Sequence, residues 1–191
     1  MTPESYYARA LAAADAEGRL SVPVEAGWEI FPFEVEGLRV KPLEPPVLPE
    51  PPRSGEGDKP CWRCDSPDRG VLWSNERWVL TRLEQPPGVP FVALLELREH
   101  LDLGEISEDL AAEMGRLIVR LERAVQALPA VGRVHIYRFG DGAEHLHVWA
   151  IARPAGLLQL RGSNLALWDD LLPPIPEDVY AADCAAVASR M

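Results

Sequence analysis

Two short motifs far apart in the chain, Cys61-Trp62-Arg63-Cys64 and His145-Leu146-His147, constrain the fold more than anything else in the sequence. Thiolates in a C-x-x-C turn converge on one cation, and sulfur combined with imidazole favours zinc among the common metals. Such a pair supplies only half of a tetrahedral site, so histidine has to complete it. The chain holds 4 histidines, and His100, His145 and His147 fall at strand ends or in a loop within reach of the cysteines. In His145-Leu146-His147-Val148-Trp149 the alternation sends both imidazoles and Trp149 to one face of a strand, and Leu146 and Val148 to the other.

The surrounding pattern supplies the strands. Residues 77–83 and 90–97 read as antiparallel strands separated by Glu84-Gln85-Pro86-Pro87-Gly88, a segment of strong turn chemistry. Ser107, followed by Glu108 and Asp109, starts a helix in which Leu110, Met114, Leu117, Leu121, Val125 and Leu128 recur at three- and four-residue spacing until Pro129. Two more strands are predicted over 131–139 and 145–153, joined through Gly140-Asp141-Gly142, and a further one over 157–167. His135 alternates with Val134 and Ile136 and shares a face with Tyr137, as a structural imidazole. Upstream, the spacing predicts a helix over 5–17 closed by Gly18 and a short edge hairpin over 28–40. Seven of the 19 prolines then lie between Pro42 and Pro60, the mark of an extended linker without a core of its own. The chain is therefore expected to divide into an N-terminal extension, residues 1–59, and a domain, residues 60–191. That domain ends in an alanine-rich helix over 180–191, with Cys184 as a packed thiol.

Charge excludes some partners. A formal net charge of -11 repels polyphosphate backbones, so bulk nucleic acid is not expected. A few oriented N–H groups and one or two arginines still suffice to hold the phosphate of a small nucleotide. No run approaches the ~18–20 apolar residues that span a bilayer, and the N-terminus carries Glu4 and Arg9 in place of a signal core, so no membrane is expected. Three cysteines, two of them in one turn, match a reducing compartment better than a disulfide scaffold, and a cytoplasmic location follows as an expectation.

From Cys61 to Pro154 these residues resemble the histidine triad (HIT) superfamily, marked by His-x-His-x-His on a strand of a five-stranded antiparallel sheet flanked by helices. The order of a C-x-x-C, a histidine after the second long strand, a helix and a His-x-His strand is similar to the zinc-bearing branches, galactose-1-phosphate uridylyltransferase among them. The resemblance implies an α+β, HIT-like domain behind the N-terminal extension, with structural zinc held by Cys61, Cys64, His100 and His145. It also implies a nucleotidyl hydrolase or transferase with His147 as nucleophile. The neutral imidazole attacks the α-phosphorus of a phosphoanhydride or phosphoramidate, and water or another acceptor resolves the covalent intermediate. A homodimer through the helix and sheet edge is the implied assembly, with the extension as the competing cover for that surface.

The sequence departs from this pattern. Trp149 stands where the third histidine would be, and an indole donates one hydrogen bond without exchanging protons near neutral pH. The loop over 140–144 is too brief for the Gly-Gln-Ser segment that contacts phosphate in many relatives. Arg138 falls near the place of a nucleotide-contacting asparagine, and Trp149, Arg161 and Glu144 complete the expected substrate contacts, a surface turn being the competing meaning of Arg161. Glu144 is a carboxylate that suits a cation, which gives a second expectation: His100, His145, His147 and Glu144 holding a reactive iron or copper for redox or hydrolytic chemistry. A HIT domain that only binds a nucleotide or a protein is the third. Trp62 and Trp73, near the cysteines, serve either base stacking or the core.

Overall fold

In the computed structural model, which describes residues 2–22, 30–34, 36–42 and 44–191, the chain divides into two compact units, Met1–Pro51 and Pro52–Met191. The second unit starts ahead of the boundary expected at residue 60. Hydrogen bonds explain why: Ser54 N–H donates to the Gly142 carbonyl at 3.2 Å, Glu144 N–H to the Ser54 carbonyl at 3.0 Å, and Gly55 N–H to the Pro60 carbonyl at 3.1 Å.

In the first unit, α1 (Pro3–Leu11) is capped by Thr2, whose hydroxyl accepts from the Ser5 N–H at 3.2 Å. It stops short of the predicted end at Glu17. Asp15 Oδ1 accepts from the Glu17 and Arg19 N–H groups, both at 2.9 Å, and this local alternative to helix turns the chain at Gly18, φ 77°. Of the hairpin expected over 28–40, Trp28, Glu29 and Val35 lie outside the described residues, and the described ones form no strand.

The second unit runs α2 (Trp62–Asp65), β1 (Val71–Ser74), β2 (Trp78–Arg82), β3 (Phe91–Leu97), α3 (Glu108–Gln126), β4 (Val131–Tyr137), β5 (His147–Pro154), α4 (Leu165–Leu171) and α5 (Glu177–Ala188). Its five strands form one antiparallel sheet in the order β1-β2-β3-β5-β4, the α+β arrangement expected. Four strands match the alternation pattern to within two residues at each end, whereas the short β1 was not anticipated. The strand expected over 157–167 is instead a pair of tight turns, Leu158–Leu160 and Gly162–Asn164, leading into α4. Gly156 and Gly162, at φ 78° and 73°, break any extended run there.

Alternation along β5 separates two cores. Leu146, Val148, Ala150 and Ala152 lie in the core with Leu117, Leu121 and Val125 of α3 and Tyr180 and Val187 of α5. Each buried leucine or valine there stabilises by about 1.5–3 kcal/mol relative to exposure. α3 starts as its sequence requires, with the Ser107 hydroxyl accepting from the Leu110 N–H at 3.3 Å and two acids in the first turn. On the opposite face, Val92 and Ile151 pack under Leu160 and Leu165, with Trp149 beside them. Tyr180 ties α5 to the sheet: its hydroxyl donates to the Val92 carbonyl at 2.7 Å and accepts from the Leu83 N–H at 3.2 Å. Among the described residues no helix is long and apolar enough to cross a membrane.

Candidate metal centre and active site

The helical turn of α2 brings Cys61 and Cys64 together. Because β3 and β5 pair antiparallel, with Glu96 opposite His147, the chain leaving β3 lies beside the chain entering β5. His100 and His145 meet there. One donor atom from each of Cys61, Cys64, His100 and His145 lies within 4.8 Å of every other. His145 Nδ1 is 3.4 Å from Cys61 Sγ and 3.5 Å from Cys64 Sγ, and His100 Nδ1 is 3.3 Å from Cys64 Sγ. Ordinary zinc–sulfur and zinc–nitrogen bonds set sulfur–nitrogen edges of about 3.6 Å in a tetrahedron, close to these spacings.

The far ring nitrogens are committed to oxygen. His145 Nε2–H donates to the Leu97 carbonyl at 2.6 Å and His100 Nε2–H to Glu144 Oε2 at 3.1 Å, which leaves both Nδ1 lone pairs facing the sulfurs. Burial holds the His145 imidazole below its ordinary range, favouring the neutral, ligating form. Burial, with the Cys61 thiol beside it, pushes the Cys64 thiol up to about 11, and a cation at the cluster reverses that direction. The donor set is compatible with zinc. Gly55, at φ 87°, lays its backbone against this cluster: a Cβ there would stand 2.6 Å from His100 Cε1. Residues expected as linker thus form one wall of the centre.

His147 stands outside the cluster. Its Nδ1–H donates to the His145 carbonyl at 2.8 Å, so the Nε2 lone pair is free for the cleft that His147 lines. This cleft, of about 400 Å³, has Thr81, Leu94 and Trp149 on its sheet side and Arg69, Arg82 and Ala143 around it. The Trp149 ring stands nearly perpendicular to that of His147, centroids 6.4 Å apart, and its buried Nε1–H has no hydrogen-bond partner among the described residues. Beneath them Glu96 is fully buried, accepts from the Thr81 hydroxyl at 2.6 Å and lies 3.8 Å from the equally buried Arg63. Burial pushes its carboxyl above the ordinary range, against the Thr81 and Arg63 contributions. The one sequence signal for this group is a carboxylate inside the apolar run of β3.

Of the expected substrate contacts, Trp149 lines the cleft, and Arg138, Glu144 and Arg161 do not. Arg138 pairs with Asp102, which also holds Arg53 at 2.9 Å. Glu144 orients His100, and Arg161 lies on a separate cleft. A reactive iron or copper on His100, His145, His147 and Glu144 finds no support: His147 is outside the cluster, and Glu144 binds the ring nitrogen that points away from it.

No protein-family model and no curated protein matches this sequence. Solved structures do match. A hypothetical histidine triad nucleotide-binding protein of Sulfolobus tokodaii superposes on 68% of this chain and 91% of its own, with a TM-score of 0.51 and 16% identity. A histidine triad protein of Sinorhizobium meliloti covers 66% and 92%, with a TM-score of 0.52 and 14% identity. One from Bradyrhizobium japonicum covers 65% and 92%, with a TM-score of 0.51 and 19% identity. The fold is that of the histidine triad proteins, and it carries a Cys2His2 cluster beside the start of β5, where His147 stands.

Proposed function

We propose that the protein is a nucleotidyl hydrolase or transferase of histidine triad type, with zinc in a structural role at Cys61, Cys64, His100 and His145. One observation carries this reading: the His147 ring is locked by Nδ1–H on the His145 carbonyl at 2.8 Å, with Nε2 open to a cleft. In-line attack by Nε2 on the α-phosphorus of a phosphoanhydride or phosphoramidate forms a nitrogen–phosphorus bond and expels the leaving group with its electron pair. Water or another acceptor then attacks the phosphorus, and the bond to His147 breaks with its electrons returning to Nε2. The charge that the ring carries in between is stabilised at Nδ1–H by the His145 carbonyl.

Phosphate contacts are available from Arg69 and Arg82, which keep Glu84 and Glu177 as partners at 2.5 and 2.7 Å, and from the Ala143 N–H, which has no hydrogen-bond partner among the described residues. Trp149 adds an indole donor, so the proton for the leaving group comes from solvent. Zinc supplies no step of this chemistry; its ligand His145 presents the carbonyl that aims His147. Free thiols at the cluster suit a reducing compartment, and we place the protein in the cytoplasm. His147→Ala should abolish release of nucleoside monophosphate from a dinucleoside polyphosphate or a nucleotide phosphoramidate while metal content and thermal unfolding stay as in the wild type. Unchanged turnover in that variant refutes the reading.

A further inference from the structure

Six positions beyond His147 on β5, on the same face of the sheet, Arg153 is only 7% exposed. At ~3.3 Å per residue it lies about 20 Å from His147 along the strand, and Leu160 and Leu165 pack over Ile151 between the two. Arg153 lines a second cleft, of about 570 Å³, together with Gly132, Arg133, His135, Arg161 and Gly162. None of these six residues lines the His147 cleft.

Among the described residues the three guanidiniums there make hydrogen bonds only to backbone. Arg153 NH1 donates to the Pro154 and Leu157 carbonyls at 2.8 and 3.3 Å, Arg133 NH1 to the Gly132 carbonyl at 2.6 Å, and Arg161 Nε to the Leu158 carbonyl at 2.7 Å. Among the described residues none of the three has a carboxylate within 4.0 Å, although Asp and Glu outnumber Lys and Arg by 30 to 19. The buried Nε2 of His135 has no hydrogen-bond partner among the described residues either. Burial, helped by Arg153, holds that imidazole below its ordinary range. At Gly132 the guanidinium lies close against the backbone: a Cβ there would stand 2.8 Å from Arg153 NH2.

Taking a charge out of water without a counter-charge is costly, and a guanidinium's forked donors match an oxyanion. Arginines also gather on α3 and after α5, at Arg116, Arg120, Arg123 and Arg190. None of those four is buried, and none leaves a buried atom without a partner. We propose that the Arg133–Arg153–Arg161 cleft binds a small phosphate-class oxyanion, with Arg153 as the fixed donor, Arg133 and Arg161 as rim donors and His135 completing the set through Nε2. The site is independent of the reaction assigned to His147.

Inorganic phosphate titrated into the full-length protein, with the histidine rings followed by NMR and His135 assigned through His135→Gln, tests it. His135 should shift along a saturable curve while His147 stays put. Arg133→Gln with Arg161→Gln should weaken phosphate by roughly tenfold, while the same loss of charge on α3, Arg116→Gln with Arg123→Gln, changes affinity by less than about twofold. Equal weakening by both pairs, or a shift that never saturates, overturns the site and leaves diffuse electrostatics. A nucleoside monophosphate as second probe identifies the source of the phosphate. A His135 shift that inorganic phosphate competes away assigns the site to a nucleotide, and a nucleotide that moves His147 alone assigns it to free or sugar phosphate; either result keeps the site.

Discussion

Gly55→Ala asks whether the segment ahead of the C-x-x-C turn belongs to the metal centre. At φ 87° an L side chain costs about 1–2 kcal/mol of backbone strain. The new Cβ would also stand 2.6 Å from His100 Cε1, so reaching the 3.4 Å of ordinary contact requires the ring to retreat by 3.4 − 2.6 = 0.8 Å. Metal–ligand distances tolerate only about 0.2 Å, so His100 should be lost or weakened as a ligand, and metal affinity should fall by about 10- to 100-fold. The strain alone should lower the melting temperature as well. Pro52–Met191 is 191 − 51 = 140 residues, and at ~2.1 cal/mol/K per residue its unfolding entropy is about 0.3 kcal/mol/K, so 1–2 kcal/mol corresponds to roughly 3–7 °C. Gly57→Ala is the control: it too has a positive φ, 61°, but nothing lies within 4 Å of its Cβ, so it carries strain without displacing a ligand. The assay is competition for zinc against a chromophoric chelator, with thermal melts of both variants. If Gly55→Ala and Gly57→Ala hold zinc equally well, the wall assigned to Gly55 is wrong.

Two further substitutions probe the sheet under the site. The folded-state carboxyl of Glu96 titrates above its ordinary 4.5, so its contribution to stability is full below that value and is lost as pH rises through the folded one. Glu96→Gln keeps an acceptor for Thr81 without the charge, so the variant should gain on the wild type as pH climbs in denaturant titrations; parallel curves from about pH 4 to 8 refute this. Tyr180→Phe leaves the Val92 carbonyl and the Leu83 N–H without their hydroxyl partner. It should cost about 1–3 kcal/mol, or roughly 3–10 °C, with metal content unchanged, and a melting temperature equal to that of the wild type removes the hydroxyl as the tie between α5 and the sheet.

What the sequence made legible is what residue type and period encode. Thiols and imidazoles announce metal chemistry by their identity, which left His100, His145 and His147 as candidates beside the two cysteines; the histidine triad resemblance then singled out the four cluster residues, and alternation placed β2, β3, β4 and β5. What stayed hidden depends on where the chain turns. Residues 157–167 are apolar enough for a strand, yet Gly156 and Gly162 fold them into turns whose Leu160 and Leu165 cover the sheet. That covering puts Arg161 beside Arg153 and away from His147. Ser54 and Gly55 sit in a proline-rich run with the composition of a linker, and only their bonds to Gly142, Glu144 and Pro60 show them as part of the domain. Arg63, inside the C-x-x-C, is buried 3.8 Å from Glu96, a pairing that neither residue type nor period encodes.

His145 joins the two halves of the site. Its Nδ1 meets both sulfurs, its Nε2–H holds the end of β3 through Leu97, and its carbonyl takes the Nδ1–H of His147. The chain on either side is pinned as well: Leu146 N–H donates to the Leu101 carbonyl at 2.8 Å, and Leu97 N–H to the Leu146 carbonyl at 3.2 Å. A shift at the cluster therefore reaches His147 through one residue's own backbone, without first disturbing the packed core below. On the proposed reaction, a centre distorted by Gly55→Ala should lose turnover in step with its metal, because the ring that attacks phosphorus is aimed by a ligand of that metal. A variant that loses metal and keeps full turnover breaks the link between cluster and nucleophile, while leaving His147 itself to be judged by its own substitution.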